Sequence, residues 1–390
     1  MTGVRPGSRG RVIVFGILFW YPLAGVTFQF LHYLIGLRRL GYDVWYVEDS
    51  GRWVYDPTLN DISPDPSGNI ARVAPVLQAH GFGDRWVFRG NYPDGRCHGL
   101  SEDRLRRLYR EADAFLNVCA AQELREEHLS VPRRIYVESD PFPVQVRIAQ
   151  GDPDTLGWLA QHDAHFTFGE RVGQPDCTLP TGGIDWLPTR QPVVTDLWAH
   201  DGVPPGPAFT TITTWHNKNK DIDWAGERWY WTKDREWLTL LDLPAARPGV
   251  FELAVAPGVE DLLARHGWRH TDSTVISGDT DAYRRYVQNS RGEFTVARDQ
   301  YVRPRTGWFS DRSACYLAAG RPVITQETGF SRVLPTGQGL FGFSTRDEVL
   351  AAVDTIATDY DAACRAAREI AQECFAAEKV VGSLMDRAGL

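Results

Sequence analysis

The stretch Ser290–Gly329, SRGEFTVARDQYVRPRTGWFSDRSACYLAAGRPVITQETG, decides the fold. Glu293 to Arg298 alternates about Phe294 and Val296, the pattern of a short buried strand. A polar loop carrying Arg298, Arg303 and Arg305 then runs to Gly307-Trp308-Phe309-Ser310. Ser310 is a helix N-cap residue, Asp311 suits the positive end of a helix dipole, and Ala314 to Ala319 is helical in composition. Gly320 supplies a left-handed stop, and Pro322-Val323-Ile324-Thr325 opens the next strand. Strand, loop, helix and strand make one β-α-β unit whose helix starts behind a glycine and a cluster of arginines. Free N–H groups at such a start attract phosphate, because the dipole and the unpaired donors point the same way. A structural crossover with solvated loop arginines fits the same residues.

Working outward, 390 residues with 43% hydrophobic side chains can bury two cores. The net charge of -8 argues against a nucleic acid as the main ligand, so any phosphate site must be local. Between Arg291 and Arg312 five arginines face three acids, a positive island on an acidic chain. The six cysteines lack CxxC spacing, which disfavours a zinc site or a disulfide framework and fits a reducing cytoplasm. The fourteen tryptophans suit stacking on sugars where they fall in loops, although most large aromatics are core.

Met1 to Gly10 reads as a disordered tail. Val12 to Leu37 is almost uncharged, yet Pro22, Gln29 and His32 interrupt it and Gly16 and Gly25 punctuate it, so it is read as a strand, a loop over Leu18 to Thr27 and a helix over Phe28 to Leu40. No membrane span is expected. Arg134 to Glu138 is a strand running into Ser139-Asp140-Pro141, which puts the Asp140 carboxylate on the ligand-binding edge of an α/β sheet or in a turn-capping role. Pro175 to Pro207, rich in Pro and Gly, is the candidate boundary between two domains. A second strand series starts at Phe209, a helix opens at Lys233, Thr274 to Asp279 reads as strand and turn, and Asp361 to Met385 reads as a long last helix.

The run Gly307-Trp308-Phe309 through Tyr316-Leu317-Ala318-Ala319-Gly320-Arg321-Pro322-Val323-Ile324, followed by Thr328-Gly329, resembles the nucleotide-sugar half of GT-B glycosyltransferases, of the family 4 and spore-maturation-type groups. The opening strand, Gly-containing loop, helix and Gly41-Tyr42-Asp43-Val44 resemble a GT-B acceptor domain. The resemblance implies two Rossmann-like domains facing a cleft: residues 1–190 for the acceptor, 191–365 for the nucleotide sugar, and 366–390 as a C-terminal helix crossing back to the first domain. It implies metal-independent sugar transfer from a nucleoside diphosphate sugar to a small-molecule acceptor such as a natural product or nucleoside. No cofactor is expected beyond that donor, and nothing in the chain sets an oligomeric state. Asp140, His32, Lys233 and Arg305 are the residues expected to carry catalysis. Gly25, Trp215, Ser277, Gly278, Arg303, Gly307, Trp308, Phe309, Ser310, Asp311 and Arg312 are expected to contact the donor, with Asp279 beside the base. Lys233 matches the lysine that binds the diphosphate in the family, and Lys218 or Lys220 stands in for an arginine that falls near Trp215. The family's two glutamates fall on Gly307 and Cys315, so Asp311 and Arg312 are expected to take over sugar or ribose contacts. A sugar-nucleotide epimerase of the same fold and a non-catalytic nucleotide-sugar-binding spore or envelope module are the alternatives. No Asp-X-Asp ends an apolar strand, no Gly-x-Gly-x-x-Gly follows the first strand, and no Gly-x-Ser-x-Gly elbow is present.

Overall fold

The computed structural model describes residues 7–90, 96–199, 202, 204–217 and 220–390. Residues 1–6 of the tail expected over Met1 to Gly10, and Lys218, lie outside them, whereas the Arg9 N–H of that tail donates to the Gly41 carbonyl at 3.0 Å. Two sheets organise the chain. The first holds β1 (Arg11–Phe15), β2 (Asp43–Glu48), β3 (Trp86–Phe88), β4 (His98–Gly99), β5 (Ala114–Val118), β6 (Arg133–Glu138), β7 (Ala164–Thr167) and β8 (Trp186–Pro188), in the order β8-β7-β6-β5-β1-β2-β3-β4. Among the described residues of this sheet only the β3–β4 pair is antiparallel. The second sheet holds β9 (Phe209–Thr213), β10 (Phe251–Val255), β11 (Arg269–Asp272), β12 (Gly292–Thr295), β13 (Val323–Gln326) and β14 (Leu340–Phe343). Its order is β11-β10-β9-β12-β13-β14, and every pair is parallel.

Parallel strands covered on both faces read as unbroken apolar runs. That accounts for Arg11–Phe15, buried at all five positions. The apolar run continues into helix α1 (Ala24–Arg39), which is buried nearly all round. It lies between the first sheet and later helices, so it needs no polar face. The helix starts at Ala24, four residues before the expected Phe28, and Gly25 is therefore helical rather than part of a loop. No described helix is long and apolar enough to cross a membrane.

Two further expectations are corrected. Ser273–Ser277, expected as strand, is the short helix α4 of the second half, while α2 (Ser67–Ala79) and α3 (Asp234–Thr239) precede it. Asp272 ends β11 and its carboxylate accepts the Thr274 N–H at 2.8 Å, so an N-cap overrides the β-branched Thr-Val-Ile. The last helix is not continuous. Helix α7 (Tyr360–Ile370) widens into a π-turn over Ala371–Phe375, breaks at Ala376 and resumes as α8 (Ala377–Arg387). Val193 enters the break: its N–H donates to the Phe375 carbonyl at 2.7 Å and its carbonyl accepts from Ala377 at 2.8 Å. Helix α8 packs on α1, where a Cβ on Gly36 would sit 3.0 Å from Ala377. The end of the chain thus returns to the first half.

Candidate functional site

The carboxyl ends of both sheets face one cavity of about 1220 Å³. In open α/β sheets this edge binds ligands, because connecting loops and helix starts converge there. From the first half come Tyr21, Leu23, Tyr55, Arg72, Ser139, Asp140 and Phe168; from the second come Thr213 to Asn217, Lys233, Ala256 to Val259, Ser277, Gly278, Arg298, Trp308 and Ser310 to Arg312. Among the described residues the lining carries four cations (Arg72, Lys233, Arg298, Arg312) against two acids (Asp140, Asp311). On a chain of net charge -8, that is a local positive field suited to an anion.

Lys233 stands just before α3. The Asp234 N–H donates to the Trp215 carbonyl at 2.9 Å and the Thr232 hydroxyl to the same oxygen at 3.1 Å, so Trp215 and Lys233 share one wall. Lys233 is only 6% exposed. Among the described residues its side-chain amine has no hydrogen-bond or ion-pair partner, while its carbonyl accepts the Trp237 N–H at 3.1 Å. Burial, then the charges of Arg312 and Arg298, push its pKa well below the usual lysine value. A buried ammonium without a counter-ion is costly, and a bound anion relieves that cost.

The neighbouring arginines are already committed. Arg312 donates to buried Glu293 at 2.7 Å, to the Ile212 carbonyl at 2.7 Å and to Thr295 at 3.0 Å. Arg298 lies over the Trp231 ring at 3.8 Å, donates to Tyr301 at 2.8 Å and reaches Asp140 at 3.3 Å. Asp140 also accepts the Tyr301 hydroxyl and, at 3.1 Å, that of Ser139. Beyond them, helix α6 (Asp311–Ala318, after α5 at Thr280–Asn289) opens behind Ser310. The N–H groups of Phe309 and Ser310 have no acceptor among the described residues. Burial raises the pKa of Asp311, which lines the cavity at the first turn.

Several expected site residues are elsewhere. His32 is fully buried and accepts the Trp198 indole N–H at 3.1 Å; burial pushes its pKa down to about 3, so it is a neutral core residue. Gly25 packs under Tyr283, not on the cavity. Arg303 is exposed, paired with Asp299 and with Glu227 at 2.6 Å, and lies over Trp229. Arg305 is exposed, with φ 55°, and does not line the cavity. Lys220 lies over Trp231 at 4.9 Å rather than in the cavity. Phe309 turns its ring into the core against Phe330 and Phe375. Gly307, with φ +77°, backs onto the first half: a Cβ would lie 2.5 Å from Arg171 Cγ and 2.9 Å from its backbone nitrogen. Trp308 does reach the cavity, its indole N–H donating to the Ser139 carbonyl at 2.9 Å. Ser277 and Gly278 line it from α4, and the Gly278 carbonyl accepts from Arg72 at 2.6 Å. Sequence reading missed Arg72, Tyr21 and Tyr55.

Away from the cavity, Asp49, Glu127 and His128 bring ligand-type atoms within 4.8 Å of one another. Arg89 and Arg125 donate into the same carboxylates, which makes the group an internally neutralised ion network.

Two facing α/β units, a cleft between the carboxyl edges of their sheets and a last helix returning to the first half define the GT-B glycosyltransferase fold. Solved structures agree over nearly the whole chain. AviGT4, a glycosyltransferase involved in avilamycin A biosynthesis, aligns with TM-score 0.56 and 12% identity, covering 97% of each chain. HepE of Anabaena, solved with UDP and glucose, aligns with TM-score 0.56 and 11% identity over 98% of this chain and 100% of its own. An alpha-glucosyltransferase, solved with UDP and a 13-mer DNA containing an HMU base, gives TM-score 0.59 at 8% identity, covering 98% and 99%. No protein-family model and no curated protein matches the sequence.

Proposed function

We propose that the protein is a glycosyltransferase that moves a sugar from a nucleoside diphosphate sugar, of the UDP type, to a small-molecule acceptor. The observation that carries the reading is Lys233: a buried amine with no hydrogen-bond or ion-pair partner among the described residues, in a cleft where the start of α6 offers N–H groups. Its neighbours at the cleft already hold acids. UDP or a UDP sugar bound in structures of the same fold supports the choice of nucleotide.

The first half, residues 1–190, takes the acceptor; residues 191–365 take the donor; residues 366–390 tie the two. The acceptor oxygen bonds to the anomeric carbon as the bond from that carbon to the β-phosphate oxygen breaks. The diphosphate leaves with the electron pair, and the acceptor proton passes to a base or to solvent. Lys233, the α6 N–H groups and Arg298 stabilise the charge that grows on the leaving oxygen, in a site built before the reaction begins. This assignment needs no bound cation, and it fits a cytoplasmic enzyme using soluble nucleotide sugars in secondary metabolism. Asp311 and Asp140 are the carboxylates placed to hold sugar or acceptor hydroxyls.

The test is turnover of UDP-glucose and related donors, read as UDP release, together with a thermal-shift series of UDP, GDP, dTDP and uridine. The reading expects stabilisation by a diphosphate and little by uridine. Failure of every diphosphate to stabilise the fold overturns it.

A further inference from the structure

The acceptor side of the cleft carries its own chemistry. Tyr21 ends the loop after β1, and that loop is clamped from beneath: Glu48, at the end of β2, accepts the N–H of Phe19 at 2.8 Å and of Trp20 at 2.6 Å. Tyr55 belongs to a hairpin of Val54–Asp56 and Asp61–Ser63, and its N–H donates to the Trp20 carbonyl at 2.9 Å. Asn69 of α2 ties both segments, donating to the Phe19 carbonyl at 2.7 Å and the Tyr55 carbonyl at 2.9 Å. The result is a fixed pair of rings, Tyr21 and Tyr55, 4.8 Å apart and 9° from parallel, both lining the cleft. The Tyr55 hydroxyl is held by Asn60 at 2.7 Å, whereas that of Tyr21 has no partner among the described residues.

We infer that this pair is the acceptor platform and that the acceptor is an uncharged molecule with an aromatic or otherwise flat apolar ring. The inference rests on the cleft being a transferase site. Rigid aromatic faces bind rings at little entropic cost, because few rotamers are frozen on binding. Leu23 and Pro57 extend the apolar wall, and Thr58 and Asn60 add uncharged polar edges. The same hairpin leaves Leu59 65% and Ile62 47% exposed beside the cleft mouth, apolar surface next to which a hydrophobic body can lie. Charge argues against an anionic acceptor. Arg72, the cation among the first-half residues that line the cavity, is tied to the Gly278 carbonyl, and Asp56, next to Tyr55 in sequence, pairs with Asp61 across the hairpin. A nucleic acid strand would need a run of cations, which this wall does not offer among the described residues.

The test uses 4-nitrophenyl β-glucoside, methyl β-glucoside, 4-nitrophenyl phosphate and a single-stranded oligonucleotide, titrated against the UDP-saturated protein by saturation-transfer NMR. The aryl glucoside should bind tightest. Tyr21→Ala and Tyr55→Ala should each weaken it by roughly three- to tenfold, and Tyr55→Phe should hold the wild-type value. Tyr55→Leu fills the space without a flat face, and it should show the same loss where the alanine variant does not fold. Equal binding of the methyl and aryl glucosides, unchanged binding by the variants, or preference for the phosphate ester or the oligonucleotide overturns the inference. UDP affinity, measured in parallel, should be unchanged in the variants. If the wild-type protein does not bind UDP at all, the donor reading falls, while the ligand order still judges the platform.

Discussion

Arg298 and Asp140 meet across the cleft at 3.3 Å, a guanidinium from the second half against a carboxylate from the first. The pair is 158 residues apart in sequence and joins the edges of the two sheets, where the proposed function has donor and acceptor meet.

Asp140 is 43% exposed at its side chain, so the ion pair is worth little to folding. Asp140→Asn should leave the melting temperature within about 2 °C of wild type. It removes a negative charge near the diphosphate, so UDP affinity should stay level or rise. Transfer to the acceptor should fall on the order of a hundredfold if the carboxylate orients or deprotonates the acceptor hydroxyl. Steady-state kinetics beside UDP titration separates the two effects. Unchanged turnover reduces Asp140 to a strut between the halves.

In the proposed site, Lys233 should make donor binding sensitive to pH. Burial lowers its pKa in the free protein, and a diphosphate beside it favours the charged form. Between the free and bound pKa values, binding therefore takes up a proton, and affinity falls as pH rises through that window. Calorimetry of UDP in buffers of different ionisation enthalpy should show net proton uptake in wild type and its loss in Lys233→Met. Equal uptake by both proteins would assign the proton to another group.

His32 sets an acid limit on stability. Its folded pKa is about 3, below the unfolded value of 6.5. The unfolded chain therefore binds the extra proton between those values, and stability contributed by the neutral ring is complete above pH 6.5 and is lost as pH falls toward 3. The loss should reach about 2 kcal/mol by pH 5. Urea unfolding at pH 7.5 and pH 5 should show it in wild type and less of it in His32→Phe. Matching slopes would contradict the assignment.

Gly307 tests which surface the glycine serves. Gly307→Val should destabilise the fold, because the loop at 304–307 is bonded to the first half (Arg171 N–H to Thr306 carbonyl, 2.9 Å; Thr178 N–H to Pro304 carbonyl, 3.0 Å) and a side chain there meets Arg171. Chemical denaturation should show a loss of about 1–3 kcal/mol. UDP and uridine affinity, measured below the transition, should fall together if at all.

What was legible in the sequence was what local signals determine. The unit from β12 through α6 to β13 follows from alternation, a Ser-Asp helix start and Gly320, all within thirty residues, and the Gly307–Gly320 run carried the fold resemblance. Which arginine enters the cleft was not legible, because a long side chain goes where distant partners hold it. Arg298 is aimed by Asp140 and Trp231, whereas Arg303 is taken by Asp299 and Glu227. One usable signal was present: Asp299 and Arg303 are four apart, a spacing that satisfies a charge locally. His32 misled because a histidine in an apolar helix has the same sequence signature whether it faces a cleft or a core. The break at Ala376 depends on Val193, which no window around the helix contains.

The central claim is that Lys233 receives the donor diphosphate. Calorimetry of UDP and of uridine binding to wild type, Lys233→Ala and the exposed-site control Arg305→Ala tests it most directly. A charge-assisted contact is worth about 1.5–3 kcal/mol, so Lys233→Ala should weaken UDP roughly ten- to a hundredfold and leave uridine unchanged, while Arg305→Ala should leave both unchanged. Equal losses for UDP and uridine in Lys233→Ala, or no loss for UDP, would contradict it.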